Sequence, residues 1–277
     1  MKIELPTYEN NELAAFTTSQ LIERMIEDED RVPRNLIDEC VKRGELMLQE
    51  LAPIAKLDAG QGDKSLGHWW LQLHAIMIIG LIPGERSGML LIEFFLNMCR
   101  DEDASPADWF SGYWTVLIRN KPQSVINRLR ELCMDKKISW FMRSNLTEAV
   151  VANAYWQGAE ELEQTLNWAA QIVTDEEEDW DYRLATANTL LDFPRDHFYQ
   201  LLNDMAARQS GFGVSFDKKD INRAYSEKTD QPAWERLKDL WSFYESQQIE
   251  SRQQRWREEA KYDEIIAEDP DDEKVAF

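Results

Sequence analysis

The chain has 277 residues, 43% apolar and 30% charged, the composition of a folded protein with length enough for one elongated core or two small ones. Its 52 acidic against 31 basic side chains leave a net charge of −21, a field that repels nucleic acid and anionic lipid surfaces, and no compact basic patch offsets it. Only 11 glycines and 9 prolines punctuate the sequence, so tight turns are scarce and helices are favoured.

In chain order, Leu21, Ile22, Met25 and Ile26 repeat at the spacing of one helix face. Pro33 stands where a first-turn proline belongs, and Leu36, Ile37, Cys40 and Val41 carry the pattern on to Gly44. Met47, Leu51 and Ile54 predict a further helix ending near Leu57, and "DAGQGDKS" (58–65) reads as a flexible break.

"LGHWWLQLHAIMIIGLIPGE" (66–85) holds the longest apolar stretch and two of the three histidines. Its unbroken apolar run, 75–82, is less than half of the roughly 20 residues that cross a bilayer. A helix that is apolar all round at this length predicts the middle layer of a helical protein. The start "MKIELPTYENNELAAF" has no basic segment followed by an apolar block, and Cys40, Cys99 and Cys133 have no pairing spacing. Both features point to a cytoplasmic protein in a reducing compartment.

From Ser65 onward the helices come in pairs. The first members are expected at about 67–82, 106–119, 139–157 and 180–192, and their partners at about 86–100, 122–134, 159–173 and 195–208. The turns "IPGE", "NKPQ", "WQGA" and "DFPR" join them, with Pro122 and Pro194 opening second helices and Gly84 and Gly158 closing first ones. Pairs begin roughly 33 to 42 residues apart, the range of two-helix solenoid repeats, in which stacking buries apolar faces that no pair hides alone. The expected fold is therefore all-α, stacked antiparallel helix pairs in a HEAT-like α-solenoid. "SGFGVSFDKKD" (210–220) reads as a loop in which Asp217 caps a short helix. The expected organisation is a repeat domain over 1–209, a loop and helical extension packing on it over 210–268, and an acidic disordered tail over 269–277.

The chemistry-bearing residues give few motifs. His68 and His74 are six apart, on different helix faces, and no H-E-x-x-H or Glu-x-x-His pattern occurs, so no metal site is expected. No nucleophile elbow, P-loop or dinucleotide fingerprint is present, and neither a cofactor nor a catalytic residue is assigned. The cysteines lack a local base and read as structural thiols. "DEEEDWD" (175–181) lacks calcium-loop spacing and reads as a solvated loop whose later acids favour the next helix N-terminus. Eleven tryptophans are expected mostly in the core, some of them lining a groove with arginines. Arg119, Arg143, Arg183 and Arg195 recur near the turns, either as groove residues or as caps of helix C-termini and partners of the acidic loops. The binding residues expected in the groove are Trp70, His74, Trp114, Arg119, Arg143, Arg183 and Asn188.

Four phrases carry a resemblance: "VPRNLIDECVKRGE" (32–45), "WWLQLHAIMIIGLIPGE" (69–85), "FSGYWTVLIRNKP" (110–122) and "EEDWDYRLATANTLLDFPR" (177–195). Over about 20–260 the chain resembles an uncharacterised bacterial family of HEAT-like helical proteins, one of the domains of unknown function. Some relatives in that family end in a Cys- and His-bearing SEC-C metal motif, whereas this chain ends "EDPDDEKVAF", so the resemblance implies no zinc and transfers no catalytic residue.

The pairing, the missing catalytic motifs and the Trp and Arg content lead to one expectation: an adaptor or scaffold that binds a protein or peptide through a groove of stacked helices, with no nucleic acid and no membrane as partner. Two alternatives stay open. One is a hydrolase-like enzyme using His74 and carboxylates in the same groove; the other is a structural homo-oligomer.

Overall fold

The computed structural model describes residues 5–56, 65–100, 107–209, 215–237 and 239–268. Among them every regular element is helical. The helices are α1 (Asn10–Ala15), α2 (Thr18–Asp28), α3 (Arg34–Lys42), α4 (Glu45–Ala55), α5 (Leu66–Leu81), α6 (Glu85–Met98), α7 (Ala107–Phe110), α8 (Trp114–Leu117), α9 (Gln123–Cys133), α10 (Trp140–Gln157), α11 (Ala159–Thr174), α12 (Trp180–Leu191), α13 (Tyr199–Arg208), α14 (Lys218–Glu227) and α15 (Ser246–Glu268). The chain folds into two compact units that are each discontinuous in sequence. The first takes Met1–Met47, Lys64–His74 and Trp241–Phe277, and the second Leu48–Asp63 and Ala75–Leu240. The boundary expected at residue 209 thus falls inside the second unit. The flexible break expected over 58–65 falls, but for Ser65, outside the described residues, as does the tail 269–277.

In the first unit α2 and α3 pack on each other and α1 on α3, burying Leu13, Leu21, Met25, Leu36, Ile37 and Cys40. Thr17 and Gln20 form a reciprocal capping box that starts α2. Arg43 donates to the carbonyls of Leu13, Ala14 and Phe16, satisfying orphan acceptors at the end of α1.

The second unit shows the helix-pair architecture. Each of α9, α10, α11 and α12 packs against the next, and α10 also packs against α8 and α12. The first row is therefore α8, α10 and α12. The second row holds α9 and α11, joined where Arg130 donates to Thr165 Oγ1 at 2.6 Å and reaches Glu161 at 3.4 Å, with α6 packed on α9. Gly88 is buried at that last contact, where an added Cβ would run into the Val125 side chain.

The turns explain why the rows keep register. Asp135 and Asp175 each accept the N–H two residues on, of Lys137 and Glu177, in the same Asx turn. Ser139 and Asp179 then cap α10 and α12. Lys136 and Lys137 stand where the next pair has Glu176 and Glu177, and Lys136 Nζ donates across to Glu177 O at 3.1 Å. Pro122 opens α9 as expected. Pro194 does not open α13, which starts at Tyr199 after the short 3-10 turn Asp196–Phe198. The single helix expected over 106–119 is broken into α7 and α8. Gly112 takes φ +79 between them, and its N–H donates to Asn145 Oδ1 at 3.0 Å.

Candidate functional site

The first-row face of the second unit carries the most unusual chemistry. Glu148 lies on α10, in a helix otherwise apolar on most sides, and Asp192 is the C-cap residue of α12. Each is half-buried. Burial and the neighbouring Asp192 carboxylate push the Glu148 pKa from 4.5 to about 7. Burial raises Asp192 to about 6, although the Ala233 N–H and the Arg236 guanidinium draw it back down. Asn188 is exposed four residues before Asp192, on the same side of α12, and it occupies the position in its pair that Glu148 occupies in the one before.

This face is not bare. Residues 231–237 run back across it as a strap. Gln231 N–H donates to Asp192 O at 2.9 Å, and Ala233 N–H to Asp192 Oδ2 at 3.4 Å. The strap then closes into the 3-10 helix Ala233–Leu237, which packs against α8. Trp234 is 1% exposed, its ring 5.7 Å from that of Phe193 and 6.4 Å from that of Tyr155. The strap thereby touches all three first-row helices or their ends. Trp234 Nε1 is buried without a hydrogen-bond partner among the described residues, so ring packing alone seats the anchor.

The other expected binding residues lie elsewhere. Arg143 is buried in a bidentate pair with Glu178, both bonds 2.9 Å, and its guanidinium sits 4.2 Å over the Tyr182 ring. Burial pushes the Glu178 carboxyl up, but the Arg143 hydrogen bonds outweigh it and leave the pKa below the usual range. Arg183 is buried too, with Nε donating to Val173 O at 2.9 Å. Trp114 is buried edge-on against Phe95. Arg119 is exposed and stacks over Trp156 at 4.8 Å. Arg195, also singled out by its turn, bridges Asp230 and Glu163.

In the first unit, His74 is fully buried. Its Nε2–H donates to Glu29 O at 2.8 Å, and Nδ1 accepts from Tyr244 Oη at 2.9 Å. Glu29 holds φ +53, an uncommon conformation for a side-chain-bearing residue, and its carbonyl is thereby satisfied inside the fold. Burial lowers the His74 pKa to about 4, so the ring is neutral. Trp70 is buried beside it, with Phe243 and Trp256 around the same ring. Arg252 donates to the Asp30 carbonyl at 2.6 Å and stacks 3.8 Å over Phe243.

No group of three or more His, Cys, Asp or Glu that could hold a metal occurs among the described residues, and none of their helices is long and apolar enough to cross a membrane. Burial raises the thiol pKa of Cys40 and brings that of Cys133 up to about 12, so neither is a nucleophile at neutral pH.

Glu148, Asp192 and Trp234 were not among the residues the sequence singles out. A lone acid inside "NLTEAVVANAYW" was the available signal for Glu148. Nothing local marks Trp234, whose role depends on a chain reversal. Set against known proteins, the chain matches no family model, no curated protein and no solved structure.

Proposed function

We propose that the chain is a non-catalytic helical-repeat adaptor that binds a peptide segment of a protein partner across the first-row face of its second unit. One observation carries this reading: the chain's own residues 231–237 already lie there as a bound peptide would, with one tryptophan as anchor and two backbone N–H groups on the main-chain carbonyl and the carboxylate of Asp192. The anchor's indole N–H is left unpaired, a cost of about 1–3 kcal/mol for a buried donor that weakens the strap's hold on its seat.

The experiment is a rescue in trans. A labelled peptide of residues 229–240 is titrated against the full chain carrying Trp234→Ala, with Ala233→Pro as a second variant that removes the N–H donor without opening a cavity. Saturable binding to the variants, a recovered melting temperature for Trp234→Ala and weak binding to the wild type support the proposal. Folded variants that take up no peptide overturn it.

A second reading rests on the same carboxylates. Two acids with pKa values moved toward neutrality suit proton transfer, as a hydrolase requires. His74, bonded through both ring nitrogens and to no carboxylate, supplies no base to it. Ester hydrolysis by the strap variants that disappears on Glu148→Gln would favour catalysis over binding.

A further inference from the structure

The strap also indicates what kind of segment the face accepts. Asp192 lies under it, and Glu148 is close enough for the two carboxylates to act on one another. The chain as a whole is strongly acidic, at −21. Against the pair the strap sets a cation, Arg236, two residues after its anchor, whose charge lowers the Asp192 pKa without an ion-pair contact. Arg236 is exposed while Trp234 is buried, so the aromatic fills the seat and the cation balances the acids from the solvent side.

Resting on the proposed binding function, we infer that the partner segment is a basic, tryptophan-bearing peptide with Arg or Lys two residues after the tryptophan, which displaces residues 231–237. Its tryptophan enters the Phe193 and Tyr155 seat, and its cation faces Asp192 and Glu148. An acidic or purely aliphatic segment lacks one of the two elements and fits less well, because it adds charge of the same sign or leaves the aromatic seat unfilled.

The test compares four peptides of residues 229–240 on the Trp234→Ala and Ala233→Pro proteins: the native peptide and versions carrying Trp234→Ala, Arg236→Glu or Arg236→Lys. The native and Arg236→Lys peptides should bind alike. Arg236→Glu should weaken binding at least tenfold at low salt, and that difference should shrink as salt rises. Trp234→Ala should remove binding. Adding Glu148→Gln and Asp192→Asn to the protein should erase the Arg-over-Glu preference. If the native and Arg236→Glu peptides bind equally, the inferred partner chemistry is wrong while the binding face stands. If no peptide binds either folded variant, the binding function itself fails.

Discussion

Arg143 and Arg183 occupy the same place in successive helix pairs. Each lies in the first turn of a first-row helix and turns back ten residues to a carbonyl at the end of the preceding helix, Cys133 for one and Val173 for the other. The chain thus repeats a fastening as well as a fold: a cation meets the negative end of a helix and covers its orphan acceptors. Of the two, Arg143 has a buried acid as well, because the acidic loop 175–181 places Glu178 beside it.

The Arg143 and Glu178 side chains are 3% and 2% exposed. Removing one partner strands the other charge in a poorly hydrated interior, a loss of about 3–5 kcal/mol. Arg143→Met alone should therefore cost about that much in urea unfolding. The double variant Arg143→Met, Glu178→Met should recover much of it, since an apolar pair carries no desolvation penalty. If Arg143→Met lowers the unfolding free energy by less than about 1 kcal/mol, the pair is solvated in solution.

His74 makes stability depend on pH below neutrality. Its folded pKa of about 4 lies below the ordinary 6.5, so between those values the unfolded chain binds a proton that the native chain does not. Stability is then lost as pH falls from about 6.5 to 4, by about 3 kcal/mol in all, at 1.36 kcal/mol per pKa unit. His74→Gln should be less stable than wild type at pH 7.5, having lost ring packing, but should lose less on acidification. Equal slopes in the two proteins between pH 6.5 and 4.5 would show that the imidazole is not buried neutral.

The helix pairs could be read from the sequence because their signals are local. Pro122, Ser139, Gly158, Asp179 and Asp217 all stand at helix starts or ends for reasons confined to a few neighbouring residues. The break at Gly112 was hidden because it depends on Asn145, 33 residues away. The site was hidden for the same reason. Glu148 and Asp192 meet through the packing of α10 on α12, and Trp234 reaches Tyr155 and Phe193 only when the chain turns back after α14; no spacing rule encodes a return of that length. Arginines at turns, by contrast, read equally well as groove residues or as caps. The structure gives Arg143 and Arg183 a capping carbonyl each and leaves Arg119 on the surface over Trp156.

Lys121 offers a test of the same fastening in a third place. Its ammonium is buried and donates to the carbonyls of Ile79, Gly80 and Ile82, closing the end of α5. Burial lowers its pKa to about 7. Lys121→Met keeps the apolar stem but leaves those acceptors without a donor, which should cost about 2–4 kcal/mol. Lys121→Arg should recover less than half, because a planar fork does not fit three carbonyls converging on a point. Chemical denaturation checks both, and a neutral Lys121→Met would mean that water replaces the ammonium.

Glu148 should give a pH dependence of the opposite sign to that of His74. Its folded pKa of about 7 lies above the ordinary 4.5, so the native chain holds a proton that the unfolded chain releases between those values. Stability therefore falls as pH rises from about 4.5 to 7, and beyond that the protein carries an ionised Glu148 facing Asp192. The side chain is only partly shielded, so the full shift is discounted to a cost of about 1–3 kcal/mol. Glu148→Gln, isosteric and neutral, should be more stable than wild type above pH 7 and indistinguishable from it near pH 4.5. Thermal melts at pH 4.5, 6 and 8 would show a gap that widens with pH. Because Asp192 accepts the Ala233 N–H and asparagine keeps an acceptor oxygen, the same melts on Asp192→Asn and Asp192→Ala separate repulsion between the acids from the grip on the strap: repulsion predicts stabilisation of Asp192→Asn at pH 8, whereas loss of the grip predicts destabilisation of Asp192→Ala at every pH.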